Sequence, residues 1–161
     1  MKNRNSKRAF SAGSALLLGL AVFSVLLVGY YILFPSRGVI TSDTVDTLLW
    51  GQASADSGRI FNPDFEYAAL LPFGGNLLMW PAVKLFGVTM AAQAFGMICF
   101  FLIFVARVLF FGRQMGWNMK WSCALAVLLL LVLSSSAKLR EIYWEHVLYY
   151  SLGTLFFLVG F

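Results

Sequence analysis

The sequence predicts an all-α fold: a polytopic integral membrane helical bundle with interfacial helices in its first outer loop. Composition is the first reason, because 60% of the 161 residues are hydrophobic and only 12% are charged, whereas a soluble domain carries about 25% charged residues. The mean hydropathy of +0.80 is the second reason. The third is a series of apolar runs, since ~20 uncharged helical residues are enough to cross a bilayer.

The first apolar run extends over residues 14–34 and contains no charge. No small-residue cleavage site follows it, so the run predicts an uncleaved anchor rather than a signal peptide. Residues 1–13 form a basic tail that carries Lys2, Arg4, Lys7 and Arg8. Such clusters stay on the cytoplasmic side. We therefore expect an integral protein of the bacterial plasma membrane with a cytoplasmic N-terminus. Its net charge of +5 then indicates membrane lipids as partners and no nucleic acid.

Three further spans are predicted at residues 88–111, 121–137 and 147–161. Residues 67–87 are also apolar, but their proline and glycine content favours a bent interfacial segment, because lipid offers no partner for freed backbone groups. That segment ends the first outer loop, residues 35–87. The alternative topology, in which this segment spans the membrane, stays open.

The interfacial topology makes residues 138–146 a second outer loop and leaves the inner side purely basic. All seven carboxylates then lie on the outer side: Asp43, Asp46, Asp56, Asp64, Glu66, Glu141 and Glu145. Two acidic loops that emerge on the same side could contribute to one reaction centre.

The first loop is expected to contain a helix from residue 43 to residue 57. Asp43 is suited to the N-cap, Asp46 to the third helical position, and Gly58 to the C-terminal stop. An amphipathic helix that only lies on the membrane surface is the alternative. In the second loop, Glu141 and Glu145 are four residues apart and are expected to share a helix face. His146 follows them, so a divalent cation or a substrate hydroxyl could bind there; a solvated turn is the alternative.

The layout resembles the N-terminal part of the GT-C superfamily of membrane glycosyltransferases, which includes the protein O-mannosyltransferases. In that superfamily a first span leads into an outer loop that opens with an acidic motif, and a second acidic motif follows the third span. The matching stretches are Ser42-Asp43-Thr44, the proline-containing residues 72–81, Leu85-Phe86-Gly87-Val88, and Glu141 with Glu145 and His146. Thr44 stands where the commoner motif has a second acid.

The resemblance implies transfer of a sugar from a polyprenyl-phosphate-linked donor at the outer face. Asp43, Glu141 and Glu145 would be the catalytic carboxylates. Asp46, Lys138, Arg140 and His146 would bind substrate, with Lys138 or Arg140 at the donor phosphate. Some relatives use a divalent cation, Mg²⁺ or Mn²⁺. Such enzymes have more spans, so the remaining transmembrane helices of a longer chain are expected as partners.

Two other classes of function remain open at this stage. A permease or flippase subunit would carry ionisable residues and broken helices within its spans, which Arg107 and the segment after Tyr67 match in part. A membrane scaffold without catalytic function would use both acidic loops as solvated turns.

Overall fold

A computed structural model describes residues 12–34, 42–67, 74–146 and 149–160, and all regular structure in these ranges is helical. The elements in chain order are α1 (Ala12–Leu33), α2 (Ser42–Ser57), α3 (Gly75–Phe86), α4 (Met90–Gln114), α5 (Met119–Leu133), α6 (Ala137–Arg140), a π-helical turn (Glu141–Glu145) and α7 (Tyr149–Gly160). The predicted all-α class is confirmed.

Two helices, α1 and α4, are long and apolar enough to cross a membrane, with 22 and 25 residues. The helix α5 has 15 residues and meets the segment Ala137–Glu145 at a bend of 114°, so this pair is a third candidate if it forms one broken span. The bend falls at Ser134–Ser136, where the Ser136 side chain accepts a hydrogen bond from Leu139 N and starts α6. The chain is therefore compatible with a membrane protein.

Contacts between helix ends fix the direction in which α1, α4 and α5 run. A Cβ on Gly112, near the end of α4, would lie 3.1 Å from Ser122 Cα, near the start of α5. Similarly, Lys120 lies beside Gly13 at the start of α1, and the Arg140 guanidinium lies 4.7 Å from the ring centre of Tyr31 at the other end of α1. Thus α1 and α5 run in one direction, and α4 runs in the opposite direction.

This arrangement gives the bundle two chemically different ends. The basic end carries the start of α1 and the α4–α5 turn, with Arg113 and Lys120 among the described residues. The acidic end carries α2, the start of α4, α6 and the π-helical turn. All seven carboxylates belong to the described loops at the acidic end.

The two helices α2 and α3 pack tightly against each other at the acidic end. A Cβ on Gly51 would lie 2.8 Å from Met79 Cβ, so only glycine permits this approach. Asn76 is fully buried and its amide donates to Ser54 Oγ and to the Ile60 carbonyl. These bonds tie α3 to the segment that follows α2, so this part of the loop is ordered.

The helix α2 starts at Ser42, one residue earlier than expected, so Asp43 lies in its first turn rather than at its cap. The helix ends before Gly58, whose φ of 65° is the left-handed conformation expected of a C-terminal stop. With 12 residues, α3 is ~18 Å long and too short for a hydrocarbon core of ~30 Å. Residues 68–73, which include Pro72, lie outside the described part of the chain.

Replacing Gly51 by alanine tests the packing of α2 on α3. The new methyl group would collide with Met79, and we expect a loss of about 1–3 kcal/mol in the free energy of unfolding, typical of an overpacked contact. Thermal unfolding of the purified protein in detergent measures it. Gly29→Ala in α1 is the matched control, because a Cβ there meets nothing within 4 Å. Equal unfolding temperatures for the two variants would contradict the close approach.

Candidate functional site

Three predicted site residues from the two loops meet at the acidic end of the bundle. Asp43, Glu141 and His146 each place one possible ligand atom within 4.8 Å of the others. Nε2 of His146 lies 3.8 Å from Oδ2 of Asp43, which is too long for a direct hydrogen bond. About 100 residues of chain separate the two side chains, so the contact depends on the tertiary fold.

Asp43 is positioned by the buried face of α2. Thr44, Thr47 and Leu48 are all buried, and Trp50 follows one turn later on the packed side. The Asp43 side chain itself stays 48% exposed, so a substrate can reach its carboxylate from solvent. The structure therefore gives this acid a fixed backbone and an accessible side chain.

His146 is positioned by Trp144, two residues before it. The Trp144 indole is fully buried and packs edge-to-face on Phe101 and Phe104, with ring centres 6.0 and 6.1 Å apart. Its Nε1 donates a 3.0 Å hydrogen bond to Ser134 Oγ. Trp144 thus anchors the π-helical turn on α4. The solvated-turn alternative would instead leave this indole exposed.

Gln93 of α4 holds the end of the π-helical turn and was not among the predicted site residues. Its side chain is fully buried, and its amide donates to the backbone carbonyl of Glu145. That carbonyl lies at the end of the π-helical turn, where backbone carbonyls lack a partner within the helix. Gln93 is one of only a few polar side chains in the apolar stretch 88–111, and this is the sequence signal that could have identified it.

The imidazole of His146 is neutral at pH 7 in this environment. Burial lowers its pKa below 6.5, whereas the nearby carboxylates of Asp43 and Glu141 act in the opposite direction. The residue is 3% exposed, and its Nδ1 has no hydrogen-bond partner among the described residues. A neutral imidazole can donate or accept a proton and can bind a metal ion.

Lys138 and Glu141 form an ion pair on the surface of the site. The ammonium lies 2.8 and 2.9 Å from the two carboxylate oxygens. This hydrogen bonding raises the pKa of Lys138 and lowers the pKa of Glu141, so both groups are charged at neutral pH. The pair is solvent-exposed, so its contribution to stability is small and its side chains can rearrange around a ligand.

Arg140 takes part in the packing of the bundle. Its guanidinium donates to the Ser134 carbonyl at 3.1 Å and lies over the Tyr31 ring. These contacts join α1 to the bend after α5.

The other two predicted acids lie outside the three-residue group. Glu145 is the last residue of the π-helical turn, four residues after Glu141. Burial, followed by the charge of Glu141, raises the pKa of Glu145. Burial and the charge of Asp43 likewise raise the pKa of Asp46. The expectation that Glu141 and Glu145 share a helix face stays a prediction.

The three-residue group fits a divalent cation in its chemistry, and the separation of Asp43 from His146 fits one in its length. Two carboxylates and a neutral imidazole are ligands that Mn²⁺ accepts. Donor atoms bound to one ion at ~2.1 Å each lie no more than ~4.2 Å apart, and the 3.8 Å between Asp43 and His146 satisfies this limit. An ion would have to displace Lys138 from Glu141, and the exposed Lys138 side chain is free to move.

A scan of protein-family models finds no match to the chain, and searches of curated proteins and of solved structures find none. The chemistry of the site is therefore derived from its own residues and their geometry.

Replacing Gln93 by leucine tests its support of the π-helical turn. The partly buried Glu145 carbonyl would lose its side-chain donor, and we expect a loss of about 0.5–1.5 kcal/mol in the free energy of unfolding. Chemical or thermal unfolding in detergent measures the change. Gln52→Leu is the matched control, because Gln52 makes only an exposed bond to Asp56 and should change stability by less than ~0.5 kcal/mol. Equal effects in both variants would refute the role of Gln93.

The pKa of His146 is directly measurable because the chain contains one histidine. In an untagged protein with a chelator present, ¹⁵N-histidine NMR should give a pKa below 6.5. The unfolded state then binds a proton more readily than the folded state, so stability falls as the pH drops through 6.5. Asp43→Asn should lower the pKa further by removing a charge that raises it, whereas Asp64→Asn should not. A pKa at or above 6.5 would contradict the claim that burial outweighs the charges of Asp43 and Glu141.

Proposed function

We propose that the chain forms the N-terminal part of a polytopic membrane glycosyltransferase, which transfers a sugar from a polyprenyl-phosphate-linked donor. The convergence of Asp43 with Glu141 and His146 carries the proposal. Two loops that are distant in sequence place an accessible carboxylate beside a neutral imidazole at one end of an apolar bundle. This is the arrangement that a reaction between a membrane-bound donor and a water-exposed acceptor needs.

In this mechanism Asp43 is the general base. The acceptor hydroxyl oxygen attacks the anomeric carbon of the donor sugar, and its proton passes to the Asp43 carboxylate. The bond from the anomeric carbon to the phosphate oxygen breaks, and the polyprenyl phosphate leaves with the bonding electron pair. Asp43 is suited to this role because its backbone is fixed by α2 and its side chain reaches solvent.

The leaving phosphate gains negative charge as the bond breaks, and a nearby cation stabilises that charge. Lys138 is the better placed of the two predicted phosphate ligands, because it is exposed beside Glu141. Arg140 is already bonded to Ser134 and stacked on Tyr31. Lys138 would therefore contact the phosphate first, with Arg140 holding the loop.

A divalent cation is proposed as an optional cofactor of the same group. Asp43, Glu141 and His146 would hold it, and the ion would supply positive charge next to the donor phosphate. His146 suits this role because its imidazole is neutral.

The membrane arrangement follows the charge distribution. We place the basic end in the cytoplasm of a bacterial cell and the acidic end at the outer face of the plasma membrane, in line with the retention of lysine and arginine inside. The helices α2 and α3 then lie along the outer interface. Further transmembrane helices of a longer chain would complete the bundle.

The proposal predicts which carboxylates the reaction needs. In membranes that contain the complete protein, Asp43→Asn should reduce consumption of radiolabelled polyprenyl-phosphate-linked sugar at least ~100-fold, the usual contribution of a general base. Glu141→Gln should also reduce turnover, because it removes a member of the group. Asp64→Asn is the matched control, an exposed acid of the same outer loop, and should keep wild-type activity.

Turnover by Asp43→Asn equal to that of the wild-type protein would remove Asp43 from the mechanism and the proposed function with it.

Titration with Mn²⁺, followed by electron paramagnetic resonance, tests metal binding separately from catalysis. Binding that survives in Glu141→Gln and His146→Gln would place the metal elsewhere.

A further inference from the structure

A groove between α1 and α5 opens at the basic end, far from the candidate site. It has a volume of about 330 Å³. Its walls are almost entirely apolar, and the lining residues come from the first half of α1 and the start of α5: Ser14, Leu17, Leu18, Ala21, Met119, Lys120 and Cys123. Among these described lining residues, Lys120 alone is charged.

The groove exists because α1 packs on the bundle along only half of its length. The buried residues of α1 are Ser24, Val28 and Ile32, all in its second half. In the first half, Leu16, Leu18 and Leu20 are exposed. The buried residues of α5 begin at Ser122, after Met119 and Lys120, which line the groove. The two helices therefore separate toward the basic end and leave an apolar cleft.

The positive charge of Lys120 at the mouth of the groove favours an occupant with an anionic head group. Lys120 pairs with none of the seven carboxylates, all of which lie at the acidic end of the described chain. The Lys120 ammonium lies close to Gly13 of α1. Lys120 thus presents a positive charge at the open end of the apolar cleft, where an anion could bind.

Two exposed tryptophans mark the depth at which this charge lies. Trp117 and Trp121 adjoin Lys120 and are 43% and 65% exposed. Tryptophan prefers the head-group level of a bilayer, where one side of the ring is apolar and the other is hydrated. This places the Lys120 ammonium at the level of lipid phosphates, with the groove extending into the hydrocarbon region.

We propose that this groove is a binding site for an acidic phospholipid of the leaflet at the basic end, with an acyl chain in the cleft and the phosphate on Lys120. Basic pockets between transmembrane helices bind anionic head groups in this way. The lipid fills a space that α1 and α5 do not close, and so ties the free half of α1 to the bundle. The inference rests on the membrane embedding proposed above and does not require sugar transfer.

Quenching of Trp121 fluorescence tests the site in the full chain. The protein is placed in phosphatidylcholine nanodiscs, and dibrominated phosphatidylglycerol or dibrominated phosphatidylcholine is added in increasing mole fraction. Trp121→Phe identifies the part of the signal that comes from Trp121. We expect half-maximal quenching at an about fivefold lower mole fraction for phosphatidylglycerol, the preference that one interfacial lysine provides.

Lys120→Gln should abolish this preference, and Lys120→Arg should restore it because the charge returns. Lys84→Gln is the matched control, since Lys84 lies over Trp80 in α3 at the other end of the bundle; it should keep the preference. Equal quenching by the two lipids in the wild-type protein would overturn the proposal. Absence of quenching by either lipid would overturn it too, since a further helix would then cover the groove. Failure of the sugar-transfer assay would not change these results.

Discussion

The burial of Trp144 is the constraint on which the arrangement at the acidic end depends. Its indole packs between Phe101 and Phe104 of α4, and its N–H bonds to Ser134 at the bend after α5. Trp144 therefore joins α4, the bend after α5 and the π-helical turn. Burial of an aromatic side chain of this size stabilises the fold by about 2–3 kcal/mol, and the hydrogen bond satisfies its only polar atom. Through Trp144, the packing of the bundle fixes the position of His146.

The site that results combines a rigid histidine with an accessible aspartate. Gln93 holds the carbonyl of Glu145 from α4, and Trp144 holds the turn from inside, so His146 is constrained on both sides. Asp43 comes from a separate helix whose position depends on the close contact of Gly51 with Met79. A change in either packing contact would separate the carboxylate from the imidazole. Arg107, the residue that suggested a transport pathway, instead donates to the Leu158 carbonyl and lies over Phe110, so it joins α4 to α7.

The sequence was sufficient for the helical class, for the two long apolar helices and for the bounds of α2 to within a residue. These features depend on the local composition, on the length of each apolar run and on the glycine that ends α2. All three can be read from a single sequence. It also named Asp43, Glu141 and His146, because acids and a lone histidine stand out in an apolar chain. The sequence did not predict the contact of Gln93 with the π-helical turn or the burial of Trp144, because both depend on partners dozens of residues away. The π-helical turn at Glu141–Glu145 was also not predicted, because the ordinary helical period cannot show such a turn.

The proximity of Asp43 to His146 is the central claim, and thiol cross-linking tests it most directly. Cys99 and Cys123 are the free cysteines, and both are first replaced by alanine. Cysteines are then introduced as Asp43→Cys and His146→Cys, and a short bifunctional methanethiosulfonate is added to intact membranes. The account predicts an intramolecular cross-link between positions 43 and 146, and none for Asp64→Cys combined with His146→Cys. Labelling of positions 43 and 146 from opposite sides of the membrane would contradict it.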